Sequence, residues 1–252
     1  MTVTERIVVG HLYPSYLNIY ADRGNIAVLS ARAAWRGVEL DVRTIEPGEA
    51  TPGDIDFFYV GGGQDREQSL IAPDLAARGE ALRDALSGGA VALAVCGGYQ
   101  LLGRFYRDRS GAEQPGAGVL PLYTVAGERR MIGDVLLECE LDPGAVRTLA
   151  GFENHAGRTI LDQGAEPLGR VVSGFGNDGE SGHEGCRLGR ALGTYLHGPL
   201  LPRNPWLADW LLAQALGHRT GEAPVFEPLA DGLEAQAHTV SAGRARSRGG
   251  RF

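Results

Sequence analysis

The stretch Val91–Gly103, VALAVCGGYQLLG, sets an unbroken apolar run against a cysteine, two glycines and then a pattern with helical spacing. The apolar run reads as a buried strand ending at Cys96, and the residues from Tyr99 onward read as a helix. A strand–turn–helix of this kind puts the most reactive side chain of the chain on a tight corner. Gly97 and Gly98 after the cysteine, and Ala94 two before it, let the backbone bend and a substrate approach, as in a nucleophile elbow. Helix N-terminal amides aimed at the sulfur would favour the thiolate. Those amides, with the Gly97 N–H, would also hold an oxyanion. The competing reading is a buried structural cysteine beside two turn glycines.

Working outward, RIVVGHLY (Arg6–Tyr13), VELDVRTI (Val38–Ile45) and DIDFFYVGGGQDRE (Asp54–Glu67) read as strands, the last ending in a triple glycine. GNIAVLSARAAWRG (Gly24–Gly37) and DLAARGEALRDALSGG (Asp74–Gly89) have helical spacing with glycine stops. This order predicts an α/β fold, an open, mostly parallel sheet flanked by helices. Sites in such sheets lie outside the carboxyl ends of strands, so the corners at Gly61–Gly63 and Cys96 are expected to share one rim. From Gly118 to Gly193 short strands and glycine-rich turns are predicted, with VLPLYTV, GDVLLECEL and RVVSGFGND as strands. ALGTYLHGPLL (Ala191–Leu201) is a further strand and PWLADWLLAQAL (Pro205–Leu216) a final amphipathic helix. Residues 1–240 are read as a single domain. Residues 241–252, with four Arg and no acid, are read as a basic, disordered tail.

Composition narrows the function. The chain has 252 residues, net charge −7 and 22% charged residues, an ordinary globular balance that argues against general nucleic-acid binding. All 24 basic residues are Arg. A P-loop needs its Lys on the phosphates and Schiff-base chemistry needs a Lys amine, so both are excluded. Three cysteines, Cys96, Cys139 and Cys186, make no disulfide framework and no C-x-x-C pair. No run has the apolar length of a signal peptide or a membrane span, so a cytoplasmic protein with reduced thiols is expected.

A thiol nucleophile needs a base, and there are six His. His183, His218 and His238 sit in polar surroundings and are read as solvated. His11 and His155 fall where they would border a site, but neither ends a strand expected beside the Cys96 strand. His197, in GTYLHGPLL, suits a base reaching over the sheet rim; a strand-end His is otherwise a common structural residue.

Taken together, VCGGYQLLG, GTYLHGP and VGGGQDREQ resemble class I glutamine amidotransferase domains of the CobB/CobQ-like, flavodoxin-like type. LNIYADRGNI, GGGQDREQ, GFENHAGRT and YLHGPLLPRNP more narrowly resemble the GatD family of glutaminase subunits of lipid II isoglutaminyl synthase. The resemblance implies that Cys96 is acylated by L-glutamine and that His197 is the general base and acid. It implies an oxyanion hole from backbone amides near Gly62, Gly63 and Gly97. GERRMIGD matches the segment whose Arg binds the substrate α-carboxylate, a role falling on Arg130 with Arg129 as its neighbour; Gln100 is a further substrate-binding candidate. The family's partner is a MurT-like, Mur-ligase-type subunit in a heterodimer, which would use ATP, so no cofactor is expected on this chain. The acceptor would be the D-glutamate of the lipid II stem peptide. A corrinoid acid acceptor, or a non-catalytic regulatory subunit, stands as the alternative. One position departs from the wider superfamily: two residues after His197, where an acid often orients the imidazole, stands Pro199. Either a Cys–His dyad suffices or a carboxylate arrives from elsewhere, as from the partner subunit.

GFGNDG (Gly174–Gly179) spells G-x-G-x-x-G but is followed by ESGHEG rather than a helix, so it reads as a loop. HEGC offers no second ligand at metal spacing, and no metal is expected.

Overall fold

The computed structural model describes residues 5–19 and 23–248. In chain order β1 (Arg6–Leu12), α1 (Arg23–Trp35), β2 (Glu39–Ile45) and β3 (Phe57–Val60) come first. They are followed by α2 (Asp65–Ala77), α3 (Gly79–Ser87), β4 (Val91–Val95) and α4 (Gly97–Leu102). Next come β5 (Phe105–Arg107), β6 (Glu113–Pro115), β7 (Leu122–Glu140), β8 (Val146–Leu161), β9 (Gly169–Ser173) and β10 (His183–Glu184). Two strands, β11 (Cys186–Leu188) and β12 (Ala191–Thr194), precede α5 (Pro205–Thr220) and α6 (Gly232–Arg248).

The first sheet has the order β11-β12-β4-β3-β1-β2. From β2 to β12 every pairing is parallel, and only β11 is antiparallel. This is the expected α/β arrangement. Its central strands are apolar at every position because both faces are covered: Phe57–Val60 and Val91–Val95 are buried throughout. Each such Val, Leu or Phe contributes about 1.5–3 kcal/mol relative to exposure. The second sheet, β10-β9-β7-β5-β6 with β8 on β7, is mostly antiparallel. One core joins the two sheets, with Leu93 and Leu196 from the first region and Val135 and Leu149 from the second.

The structure corrects four expectations. The single helix predicted over Asp74–Gly89 is two, α2 beginning at Asp65 and α3 at Gly79. The break lies at Arg78, whose guanidinium is drawn down onto Asp74, Tyr13, Thr51 and the Glu46 carbonyl. The helix after Cys96 begins at Gly97 rather than Tyr99 and has only six residues. The short strands predicted between Gly118 and Gly193 are chiefly two long ones, β7 with 19 residues and β8 with 16. They pair from Leu122↔Leu161 to Glu140↔Val146, and a register shift between Ala126 and Met131 absorbs what reads in sequence as a turn.

The tail is the fourth. Residues 241–248 continue α6 and are not disordered; residues 249–252 lie outside the described residues. Ala242 and Ala245, one helical turn apart, bury against Leu136 and Ala150 of the second sheet. Ser173 Oγ donates to the Ala245 carbonyl at 2.6 Å. Two small residues suffice to seat a helix flush on a sheet while Arg244 and Arg246 stay in solvent. Net apolar content, on which the expectation rested, does not register such a seat.

Candidate active site

Val60 of β3 lies beside Ala94 of β4, and Val95 of β4 beside Thr194 of β12. All three strands run parallel, so the Gly61–Gly63 loop, Cys96 and the segment leading to His197 leave the sheet at the same edge. The Cys96 N–H donates to the Thr194 carbonyl at 2.8 Å, which ties the elbow directly to the His-bearing strand. Cys96 has φ 51° and ψ −110°, one of two non-glycine residues with positive φ among those described. That conformation is costly for a side-chain-bearing residue and persists only where its surroundings impose it. Gly98 explains part of the imposition. A Cβ there would stand 2.6 Å from the Gly61 carbonyl oxygen and 2.7 Å from that of Val60, so only glycine lets the elbow approach β3 this closely.

The sulfur-bearing residue opens onto a cavity of about 470 Å³, a size typical of small-ligand clefts. Gly63, Gln64, Gln68, Gln100, Arg130 and His155 are among its walls. Arg130 lies within the register shift of β7, between Ala126 and Met131, and lines the cavity. Its Nε donates to Asn154 Oδ1 at 2.9 Å and its Nη2 to the Asn154 carbonyl at 3.0 Å. Arg129, the neighbour the sequence left in contention, is not part of this wall; its carbonyl accepts from Arg158. Gln100 is buried at the cavity floor and its amide donates to the Tyr195 hydroxyl at 3.0 Å. Gly62 and Gly97 are not among the lining residues; the Gly62 carbonyl accepts from the Ile19 N–H at 3.0 Å.

His197 is fully buried and lies three residues beyond the end of β12. Its backbone N–H donates to the Phe152 carbonyl at 3.0 Å, with the Phe152 N–H returning to the His197 carbonyl at 3.3 Å. The approach to it is braced by Glu184, also fully buried, which accepts from the Tyr195 N–H at 2.6 Å and from the Thr194 hydroxyl. Burial pushes the Glu184 carboxyl up to about 8, against the opposing pull of those two bonds. Burial likewise lowers the His197 imidazole from 6.5 to about 4, helped by His155, Arg203 and Arg130 nearby. Its neutral form, the one that accepts a proton, is thereby favoured. Pro199, standing where an acid was looked for, packs against the start of α1.

His155, read in the sequence as bordering a site but not as the base, lies in the cavity wall. Its ring stacks on Tyr195 with centroids 3.4 Å apart, and Nδ1 faces the Gly157 carbonyl at 2.9 Å. Nε2 is 3.7 Å from Glu153, a buried carboxylate that accepts the N–H groups of Phe175 and Gly176. A signal existed: Glu153 and His155 are alternate residues of one strand, so two ionisable groups share its inward face. His238, read as solvated, is half-buried between Thr148 and the Arg203 carbonyl, where α6 seats.

The fold is an α/β sheet with a cysteine at a strand–helix corner and a polar cleft at its rim. Residues 8–205 match the CobB/CobQ-like glutamine amidotransferase domain, and the chain belongs to that family. It is accordingly a glutamine amidotransferase. Among curated relatives it is 40% identical over 242 residues to the lipid II isoglutaminyl synthase (glutamine-hydrolyzing) subunit GatD of Staphylococcus aureus (strain N315), covering 95% of this chain and 96% of the relative. The GatD subunit of Streptococcus pneumoniae (strain ATCC BAA-255 / R6) is also 40% identical, over 88% of this chain and 86% of that one. Among solved structures, PurLQS from Thermotoga maritima superposes with a TM-score of 0.57 at 14% identity, covering 85% of this chain and 96% of that chain. At that identity the likeness concerns the fold alone. No described helix is long and apolar enough to cross a membrane.

Proposed function

We propose that this chain is the glutaminase subunit of a two-subunit ligase: it hydrolyses L-glutamine through a Cys96 thioester and delivers ammonia to a MurT-like, ATP-dependent partner. The partner amidates the D-glutamate of the lipid II stem peptide, in the cytoplasm. The observation that carries the reading is the strained Cys96 corner opening into a cavity walled by Arg130. Near-full-length similarity to two GatD subunits supports the acceptor and the partnership.

In this mechanism the Cys96 sulfur attacks the side-chain amide carbon of glutamine and the carbonyl oxygen becomes an oxyanion. Backbone N–H groups near Gly62, Gly63 and Gly97 would supply the donors for that charge; such donors are worth about 10²–10³ in rate each. His197 accepts the thiol proton and passes it to the departing ammonia. The same imidazole then takes a proton from water, which hydrolyses the thioester and releases glutamate. Arg130 pairs with the α-carboxylate and fixes the register of the side-chain amide over the sulfur. Gln100, held by Tyr195, lines the floor under the substrate.

The test is ammonia release from L-glutamine by the chain alone and with its Mur-ligase-type partner, ATP and lipid II. The reading expects turnover that rises when the partner is present and yields an amidated stem peptide. Glutamine left intact in both mixtures contradicts it, and turnover equal in both removes the partner's role in activation, which the Pro199 position motivates.

Arg130→Ala is expected to raise KM for glutamine by about 10- to 100-fold, the worth of one charge-assisted contact, with a smaller change in kcat. Steady-state kinetics decide this. An unchanged KM would remove Arg130 from the substrate site.

A further inference from the structure

The triple glycine after β3 has every carbonyl held, each by a different part of the chain. The Gly61 carbonyl accepts from the Gly98 N–H at 3.1 Å, and the Gly62 carbonyl from the Ile19 N–H at 3.0 Å. The Gly63 carbonyl accepts from a side chain, the Gln68 amide, at 3.0 Å. A peptide unit is planar and trans, so holding a carbonyl also fixes the direction of the next residue's N–H, on the opposite side. The Gln68 bond therefore orients the Gly63–Gln64 peptide, and both of those residues wall the Cys96 cavity.

Gln68 is placed for this and little else. It lies in the first turn of α2, 4% exposed, with its side chain turned back toward the loop that precedes the helix. Its amide also occupies the space beside the elbow. A Cβ on Gly97 would stand 2.6 Å from Gln68 Nε2 and 3.0 Å from the Gly63 nitrogen, so these three groups converge next to Cys96. The requirement is a donor to the Gly63 carbonyl. A Glu carboxylate would set a second negative oxygen against the Gly63 carbonyl, and an apolar side chain of the same length would leave that buried carbonyl without its donor.

We propose that Gln68 is a positioning residue for the oxyanion hole: its side-chain amide holds the Gly63 carbonyl and so pins Gly63, whose nitrogen lies beside Gly97 of the elbow, in the wall of the Cys96 cavity. This rests on the glutaminase reading above. Gln68 touches no reacting atom; it acts through the backbone it holds. Its loss slows the step in which charge develops on the carbonyl oxygen and leaves the thiol itself unaltered.

Two reactions of Cys96 separate this role from a merely structural one. Glutamine hydrolysis passes through a tetrahedral oxyanion. Alkylation by iodoacetamide does not: the sulfur–carbon bond forms as iodide leaves, and no oxyanion appears. For Gln68→Met, nearly the same length without a donor, kcat for glutamine is expected to fall about 10- to 100-fold, with KM and the alkylation rate within about threefold of wild type. Gln68→Glu is expected to behave alike at neutral pH, and thermal melting shows that both variants are folded. An unchanged kcat overturns the proposal, as does alkylation slowed in step with kcat, which would mean that Gln68 only supports the elbow. Wild-type chain and partner inert toward glutamine would instead overturn the glutaminase reading beneath it. Active wild type beside a fully active Gln68→Met overturns this proposal alone.

Discussion

Cys96→Ala is expected to abolish glutamine hydrolysis, lowering kcat by more than about 10⁴-fold while the protein stays folded. The size follows from the chemistry. Without the sulfur there is no covalent intermediate, and water must attack an unactivated amide directly. The fold survives because Cys96 contributes only a small side chain at the edge of the core, 7% exposed and facing the cavity. Relieving a positive-φ residue of its sulfur changes nothing in the Gly98 contact that shapes the turn. The check is ammonia release with circular dichroism as the folding control. Retention of even a tenth of the wild-type rate by a folded Cys96→Ala chain would exclude the thioester route.

His197→Asn is expected to lower kcat by about 10²–10⁴-fold, the usual worth of a general acid–base. The pH profile carries the sharper prediction. A base works only when unprotonated, and burial lowers this imidazole from 6.5 to about 4. Activity limited by His197 therefore persists as pH falls through 6.5 and is lost only as it approaches about 4. The acid limb of kcat/KM is expected well below the ordinary imidazole value and is expected to disappear in the variant. A limb at 6.5 or above would mean a solvated His197, contrary to its full burial.

Much of the rim was legible in the sequence because it is built from local signals. An apolar run broken by Cys-Gly-Gly predicts a strand and a corner, and the triple glycine predicts a second corner beside it. Both are parallel strand ends in the structure, and β12 brings the His197 segment to the same edge. What was not legible depends on pairing between distant segments. Arg130 enters the cavity because β7 and β8 stay paired across a register shift, which no local pattern in GERRMIG announces. His155 was set aside as the base because it does not end a strand expected beside that of Cys96. Its strand belongs to the second sheet, whose inward face meets the rim of the first through Tyr195. The α6 seat failed for a different reason. Two alanines at helical spacing carry almost no hydrophobic signal, yet they fit closely against Leu136 and Ala150.

The thioester is the centre of the account, and it can be observed. Rapid acid quenching during glutamine turnover, followed by intact-mass and peptide mass spectrometry, is expected to find one γ-glutamyl group per chain, on the peptide containing Cys96. It should accumulate further in His197→Asn if deacylation becomes the slower step. Ammonia released with no acyl group on Cys96, or with the group on Cys139 or Cys186, would contradict the account.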